Sequence, residues 1–151
     1  MKDYGDRAER LFREGYNCAQ SVLLAFSDVT GLEDDTALRM SSSFGGGLGR
    51  MREVCGAVSG AAMVLGLVRG YSNPEDHQAK REHYALVQEF ARRFKEKNGS
   101  IICRELLSGT NTKKGNGPEE RTAAYYHKRP CAELCRQAAE IVGEMLATGE
   151  E

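Results

Sequence analysis

The chain has 151 residues, 40% of them hydrophobic and 28% charged, with 21 Lys and Arg against 22 Asp and Glu. This is a globular composition, long enough for one domain, and a net charge of -1 lacks the basic excess of a nucleic-acid binder. The uncharged run from Val54 to Val68 is shorter than the roughly 20 apolar residues of a membrane-spanning helix. The polar start Met1-Lys2-Asp3-Tyr4-Gly5-Asp6-Arg7 has no apolar core of a signal peptide, so a cytoplasmic protein without membrane insertion is expected.

The pattern is helical nearly throughout. Tyr4, Ala8, Leu11 and Phe12 recur at helical spacing until Gly15 ends the segment. Asn17 then stands as an N-cap with Gln20 three residues on, a capping-box arrangement, and Cys18, Val22, Ala25 and Phe26 form the stripe of a second helix. A weaker helix is expected over residues 34–43, followed by the glycine-rich turn Phe44-Gly45-Gly46-Gly47-Leu48-Gly49-Arg50. The helix expected over 55–68 is small or apolar on every side, the mark of a helix in the middle of a bundle. Its pairs Gly56/Gly60 and Gly66/Gly70 leave room for another backbone or a bound group.

Asn73 and Pro74 are expected to open a fifth helix. Its stripe is Ala79, His83, Leu86, Val87, Phe90 and Phe94, and Asn98-Gly99 closes it. A short helix over 103–107 and a polar loop over 108–117, expected to be mobile, come next. A second short helix is expected from Pro118 through Tyr126. The last helix starts at Pro130 and carries Cys131, Leu134, Cys135, Ala138, Ile141, Val142 and Met145. With no repeat, linker or β-alternation, the expected fold is one all-α domain, a bundle of about five to seven helices around a central buried helix.

Five cysteines, at 18, 55, 103, 131 and 135, are an odd number at wide spacing, which argues against a secreted disulfide framework. Buried filler is the bland account, since free Cys behaves as a small hydrophobe. Yet Cys18, Cys55, Cys103 and Cys131 each fall in the first turn of a predicted helix. Backbone N–H groups there lack intrahelical partners and carry partial positive charge. The expectation is a stabilised thiolate of lowered pKa, aided by Arg50, Arg52, Arg104 and Arg129 nearby in sequence. Such thiolates serve a metal or iron–sulfur cluster or thiol–disulfide exchange. Cys131 and Cys135 lie one turn apart on one face, as two ligands or a redox couple would, but Leu134 shares their stripe and favours Cys135 as core filler.

The glycine turn follows a helical segment, and no G-x-x-x-x-G-K-[ST] occurs, so nucleotide binding is not expected. Gly45, Gly46 and Gly47, with Gly56 and Gly60, read instead as backbone open to an anion or cluster beside Cys55. His83 is read as a satisfied core histidine rather than a metal ligand. His127, four residues before Cys131, is placed in an exposed loop rather than at the site, and His77 on the surface. Ser59 is not in a nucleophile elbow. Tyr16, Tyr125 and Tyr126 read as packing residues with hydroxyls in water, and Glu53 as a solvated side chain.

Taken together, Asn17-Cys18-Ala19-Gln20, Phe44-Gly45-Gly46-Gly47, Cys55-Gly56-Ala57-Val58-Ser59-Gly60, Cys103-Arg104-Glu105-Leu106-Leu107 and Arg129-Pro130-Cys131 resemble the C-GCAxxG-C-C family in order and spacing. The resemblance covers almost the whole chain. It implies a protein thought to be redox-active, mostly from its cysteines, and often encoded near transporter genes. The four family cysteines fall on Cys18, Cys55, Cys103 and Cys131, with Cys135 left over. A related domain in a split-Soret cytochrome c accompanies haems and a non-haem iron centre; this chain has no C-x-x-C-H, so covalent c-type haem is not expected.

Three functions remain. One is an electron-transfer protein holding an iron–sulfur cluster or other metal on Cys18, Cys55, Cys103 and Cys131. Another is a thiol–disulfide redox protein cycling two of them, and the third a helical interaction module with inert cysteines. Gaps of 37, 48 and 28 residues between the four cysteines suit a site assembled from several helices and do not resemble a C-x-x-C, which favours the first. An electron-transfer or transporter-linked protein is the expected partner, and a homodimer is plausible.

Overall fold

A computed structural model describes residues 3–108, 117 and 119–148. The loop expected to be mobile, apart from its ends, lies outside the described residues, as does Pro118. The fold is all-α. Six helices of eight residues or more are α1 (Tyr4–Arg13), α2 (Cys18–Ala25), α4 (Asp34–Ser42), α5 (Gly56–Arg69), α6 (His77–Asn98) and α9 (Cys131–Thr148). Three shorter ones are α3 (Ser27–Thr30), α7 (Cys103–Leu106) and α8 (Ala123–Lys128). Among the described residues the only β-type pairing is an isolated antiparallel bridge between Val54 and Ile102, and none of these helices is long and apolar enough to cross a membrane.

Local sequence fixes the helix starts. The Asp3 carboxylate accepts from the Asp6 amide at 2.8 Å to cap α1. The capping box at α2 forms in both directions: Asn17 Oδ1 accepts from the Gln20 amide at 2.9 Å, and Gln20 Oε1 from the Asn17 amide at 3.0 Å. The same two side chains reach α4, Asn17 to the Ser42 carbonyl and Gln20 to the Leu38 carbonyl. The start of α6 corrects the sequence expectation. Asn73 turns the chain by accepting from the Glu75 amide at 3.0 Å, and the helix begins only at His77, capped by Asp76 onto the Ala79 amide at 2.9 Å. Two residues able to cap stand three apart, and the second heads the helix while the first makes an Asx turn.

Phe12, Phe26, Phe90 and Phe94 anchor the core with Leu23, Leu65, Val64, Ile141 and Val142. Helix α9 packs on α1, α2, α5 and α6, and α2 lies between α1 and α5. The N-terminal two-thirds of α5 is its buried part, and Gly66 and Leu67 emerge at the surface. Close approach of α5 to α2 requires glycine at two positions. A Cβ on Gly56 would lie 2.9 Å from the Phe44 carbonyl oxygen, and one on Gly60 would lie 2.7 Å from that of Ala19. Gly66 makes no such contact, with nothing within 4 Å of a Cβ built there. The second glycine pair therefore does not receive another backbone.

Candidate redox site

Each of the four motif cysteines stands at a helix start. Cys18, Cys103 and Cys131 are the first residues of α2, α7 and α9, and Cys55 is the N-cap of α5. Three packing features bring these starts together. The Val54–Ile102 bridge aligns two of them: the Cys55 amide donates to the Ile101 carbonyl at 2.8 Å, and the Cys103 amide to the Glu53 carbonyl at 2.6 Å. The bare face of Gly56 sets the Cys18 Cβ 3.1 Å from where its own Cβ would be. Docking of α9 then brings the Cys131 and Cys135 thiols to interact with that of Cys18. All four cysteines line one cavity of about 410 Å³, together with Gly45, Gly46, Gly47 and Gly56. Gly60 lies outside it and serves helix packing alone. Cys135 is fully buried outside the cavity lining, its thiol 3.9 Å from the Cys18 carbonyl oxygen.

The glycine turn forms one wall by taking an unusual path. Gly46, Gly47, Leu48, Gly49 and Arg50 run consecutively at φ between 55° and 73°, and Arg52 follows at 63°. Each non-glycine residue there carries a penalty of about 1 kcal/mol. Its return amides bond back to its own carbonyls, Arg52 to Gly46 and Glu53 to Gly47. This folds Gly47 against Cys103, whose Cβ lies 2.7 Å from where a Gly47 side chain would begin. The six amides from Leu48 to Glu53 are thus engaged within the turn and do not point at a bound anion.

Arginines supply the polar part of the cavity. Arg52 reaches the Cys103 sulfur at 3.8 Å. Glu119 pairs with both Arg129 and Arg50. Arg121 donates to the Phe12 carbonyl at 2.7 Å and the Tyr16 carbonyl at 3.0 Å, with its guanidinium over the Phe12 and Tyr125 rings. Sequence reasoning missed Arg121 and Glu119, which sit in no motif, and took Tyr125 for packing alone although it also lines the cavity. Arg104 turns away from the thiols to Glu53 and the Arg52 carbonyl. Glu53 is therefore an exposed ion-pair partner. The Tyr126 hydroxyl donates to the Arg13 carbonyl at 3.1 Å.

The thiols do not behave as their helix positions suggest. Burial pushes Cys55 up to about 12, although the amides of Ala57 and Val58 face its sulfur and oppose the rise. Cys103 is raised by burial against the pull of Arg52. Cys18 stands well above the ordinary thiol range. Its contact with Cys131 works downward, but Cys135, burial and the Cys55 sulfur outweigh it. Cys131 is raised by Cys18 first and by burial second, and Cys135 by burial. The expected lowering is overturned because desolvation in the core, joined at Cys18 and Cys131 by the neighbouring thiols, exceeds the partial charge of a helix start. All the cavity thiols are neutral at pH 7.

Among the described residues, no group of three or more His, Cys, Asp or Glu side chains is arranged to hold a metal ion. The donor chemistry suits a soft metal, but the four thiols as they stand do not form a ligand set for a single ion. His83 is distant in role. It packs edge-on to Tyr71 with a buried Nδ1 that has no hydrogen-bond partner, so it is not the satisfied core histidine expected. His77 is exposed at the head of α6, and the side chain of His127 lies outside the described residues.

The sequence profile of a family described as "Putative redox-active protein (C_GCAxxG_C_C)" matches residues 16–145. The chain belongs to the C_GCAxxG_C_C family. The matched span takes in all four motif cysteines, the glycine turn and the cavity arginines, so the C_GCAxxG_C_C signature corresponds here to the wall of one cavity. No curated protein and no solved structure matches the chain.

Proposed function

We propose that this is a thiol-based redox protein in which Cys18 and Cys131 interconvert between two thiols and a disulfide. The observation that carries this reading is that Cys18 and Cys131, whose thiols interact, both line the wall of a cavity large enough for a small reactant, while Cys135, which also engages Cys18, lies outside that lining. On oxidation two S–H bonds break and one S–S bond forms, and two protons and two electrons pass to the acceptor. Cys55 and Cys103 stand beside the pair as neutral neighbours. The test is a count of free thiols in denatured protein after equilibration in graded redox buffers. The count changes by two between the reducing and oxidising limits; a constant count ends the proposal.

A second reading is an electron-transfer protein whose Cys18, Cys55, Cys103 and Cys131 thiolates hold an iron–sulfur cluster or other metal. The observation favouring it is that four cysteines from four separate helix starts face one cavity beside arginine side chains, which would offset the negative charge of a thiolate-held centre. Such a centre would supply one-electron transfer. Loading would displace four thiol protons and adjust the sulfur positions. Iron, sulfide and zinc analysis with a visible spectrum, on protein purified and reconstituted without oxygen, decides between the two.

A further inference from the structure

The cavity has a charge that neither reading assigns to a reactant. Among the described residues, four arginines line it, Arg50, Arg52, Arg121 and Arg129, against the one carboxylate of Glu119. The described lining therefore carries more positive than negative charge. These groups are well withdrawn from solvent: the side chains of Arg129, Arg50 and Glu119 are 6%, 15% and 17% exposed. Salt screens charges in such a setting less than on an open surface. Glu119 divides its charge between two arginines. Arg121 is held by carbonyl dipoles and ring faces, which leave its positive charge in place. A cleft with low-dielectric walls and one sign of charge raises the local concentration of ions of the other sign.

We infer that the cavity admits small anions to its thiols in preference to neutral or cationic reactants, and that its reactant class is a small disulfide bearing carboxylates. The exchange step rests on the thiol–disulfide reading above; the charge preference does not. In that step one thiol of the Cys18–Cys131 pair loses its proton and attacks a sulfur of the small disulfide. A protein–ligand S–S bond forms, and the first ligand thiolate leaves and takes up a proton. The second cysteine then loses its proton and attacks the protein sulfur of that bond, expelling the second ligand thiol. The protein dithiol is oxidised and one small disulfide is reduced to two thiols.

The experiment uses the reduced full chain and two alkylating probes of different charge, iodoacetate and iodoacetamide. Each rate is divided by that of free cysteine corrected to the same thiolate fraction. At low salt the iodoacetate-to-iodoacetamide ratio is expected to exceed that of free cysteine about tenfold and to decline as salt is raised to about 0.5 M. Arg52→Gln lowers the ratio, Arg52→Lys keeps it, and Glu119→Gln raises it. A ratio equal to that of free cysteine, or one indifferent to these three variants, overturns the charge preference. A second arm compares oxidised glutathione with the neutral hydroxyethyl disulfide and the cationic cystamine. Glutathione disulfide is expected to react fastest at low salt. Exchange without charge order overturns the reactant class and leaves the redox proposal standing. Selective alkylation with no exchange by any of the three supports the anion preference, overturns the disulfide reactant and counts against the redox proposal.

Discussion

The thiol of Cys18, at the first residue of α2, meets the thiol of Cys131, at the first residue of α9. Cys135, one turn further along α9, also engages the Cys18 thiol and lies 3.9 Å from its main-chain oxygen, but it is outside the cavity lining. Both cysteines of α9 engage the same residue, and only Cys131 does so at the cavity wall. Cys131→Ser is expected to abolish the two-thiol change across redox buffers. Cys135→Ser is expected to retain it, at a stability loss of about 1 kcal/mol for a hydroxyl in a fully buried thiol's place. Thiol counting and urea unfolding on the two variants check both statements.

Stability falls in alkali. Cys55 loses its proton near pH 9 when unfolded but only at about 12 when folded. A group raised on folding contributes its full stability below the unfolded pKa, and that contribution is lost as pH climbs through the folded value. Cys55 alone accounts for about 4 kcal/mol between those limits, and Cys18, Cys131, Cys103 and Cys135 act in the same direction. Urea midpoints are expected to hold steady from pH 7 to 8.5 and to drop steeply above 9. A flat profile through pH 10.5 contradicts the burial described for these thiols.

Alanine at two glycines of α5 is expected to act with opposite sign. Gly60→Ala drives a methyl to 2.7 Å from the Ala19 carbonyl oxygen, where backbone meets backbone, and costs about 2 kcal/mol. Gly66→Ala enters open space on an exposed helical turn and stabilises by about 0.5–1 kcal/mol through helix propensity and a less disordered unfolded chain. Denaturant titration of both variants provides the comparison.

Arg121 joins the segment before α8 to the end of α1 through the carbonyls of Phe12 and Tyr16. Arg121→Met leaves both oxygens without that donor and removes the cation from the Phe12 ring. A loss of about 2–3 kcal/mol is expected. Arg121→Lys restores the charge but not the two-pronged geometry and recovers only part of it. Full recovery in Arg121→Lys would assign the role to charge alone, and equal losses for the two variants would assign it to the guanidinium geometry alone.

What the sequence discloses of this molecule is what neighbouring residues decide. The Asn17–Gln20 box, the Gly99 stop of α6 and the helix-start placement of four cysteines all depend on residues a few positions apart, and all are present in the fold. Gly56 and Gly60 also announce a close approach, because absence of a side chain on one face has few other uses. The thiol protonation state was not legible in this way. A helix start is local, but the desolvation that overrides it comes from α9 closing over α2 and α5. Arg121 and Glu119 escaped because Phe12, Tyr16 and Arg50, which they meet, are far away in the chain and no spacing marks them. The delayed start of α6 is a different failure, a contest between two capping residues three positions apart that composition does not settle.

The bridge between Val54 and Ile102 prepares one half of the site, holding Cys55 and Cys103 side by side, while Cys18 waits on α2. The fourth sulfur belongs to the helix that comes last in the chain order. Cys18, Cys55 and Cys103 all precede α9 in the chain, so the four-thiol wall depends on the packing of a helix distant in sequence from the other three sulfurs. The packing of α9 on α2 and α5 therefore couples the arrangement of these sulfurs to the integrity of the whole core.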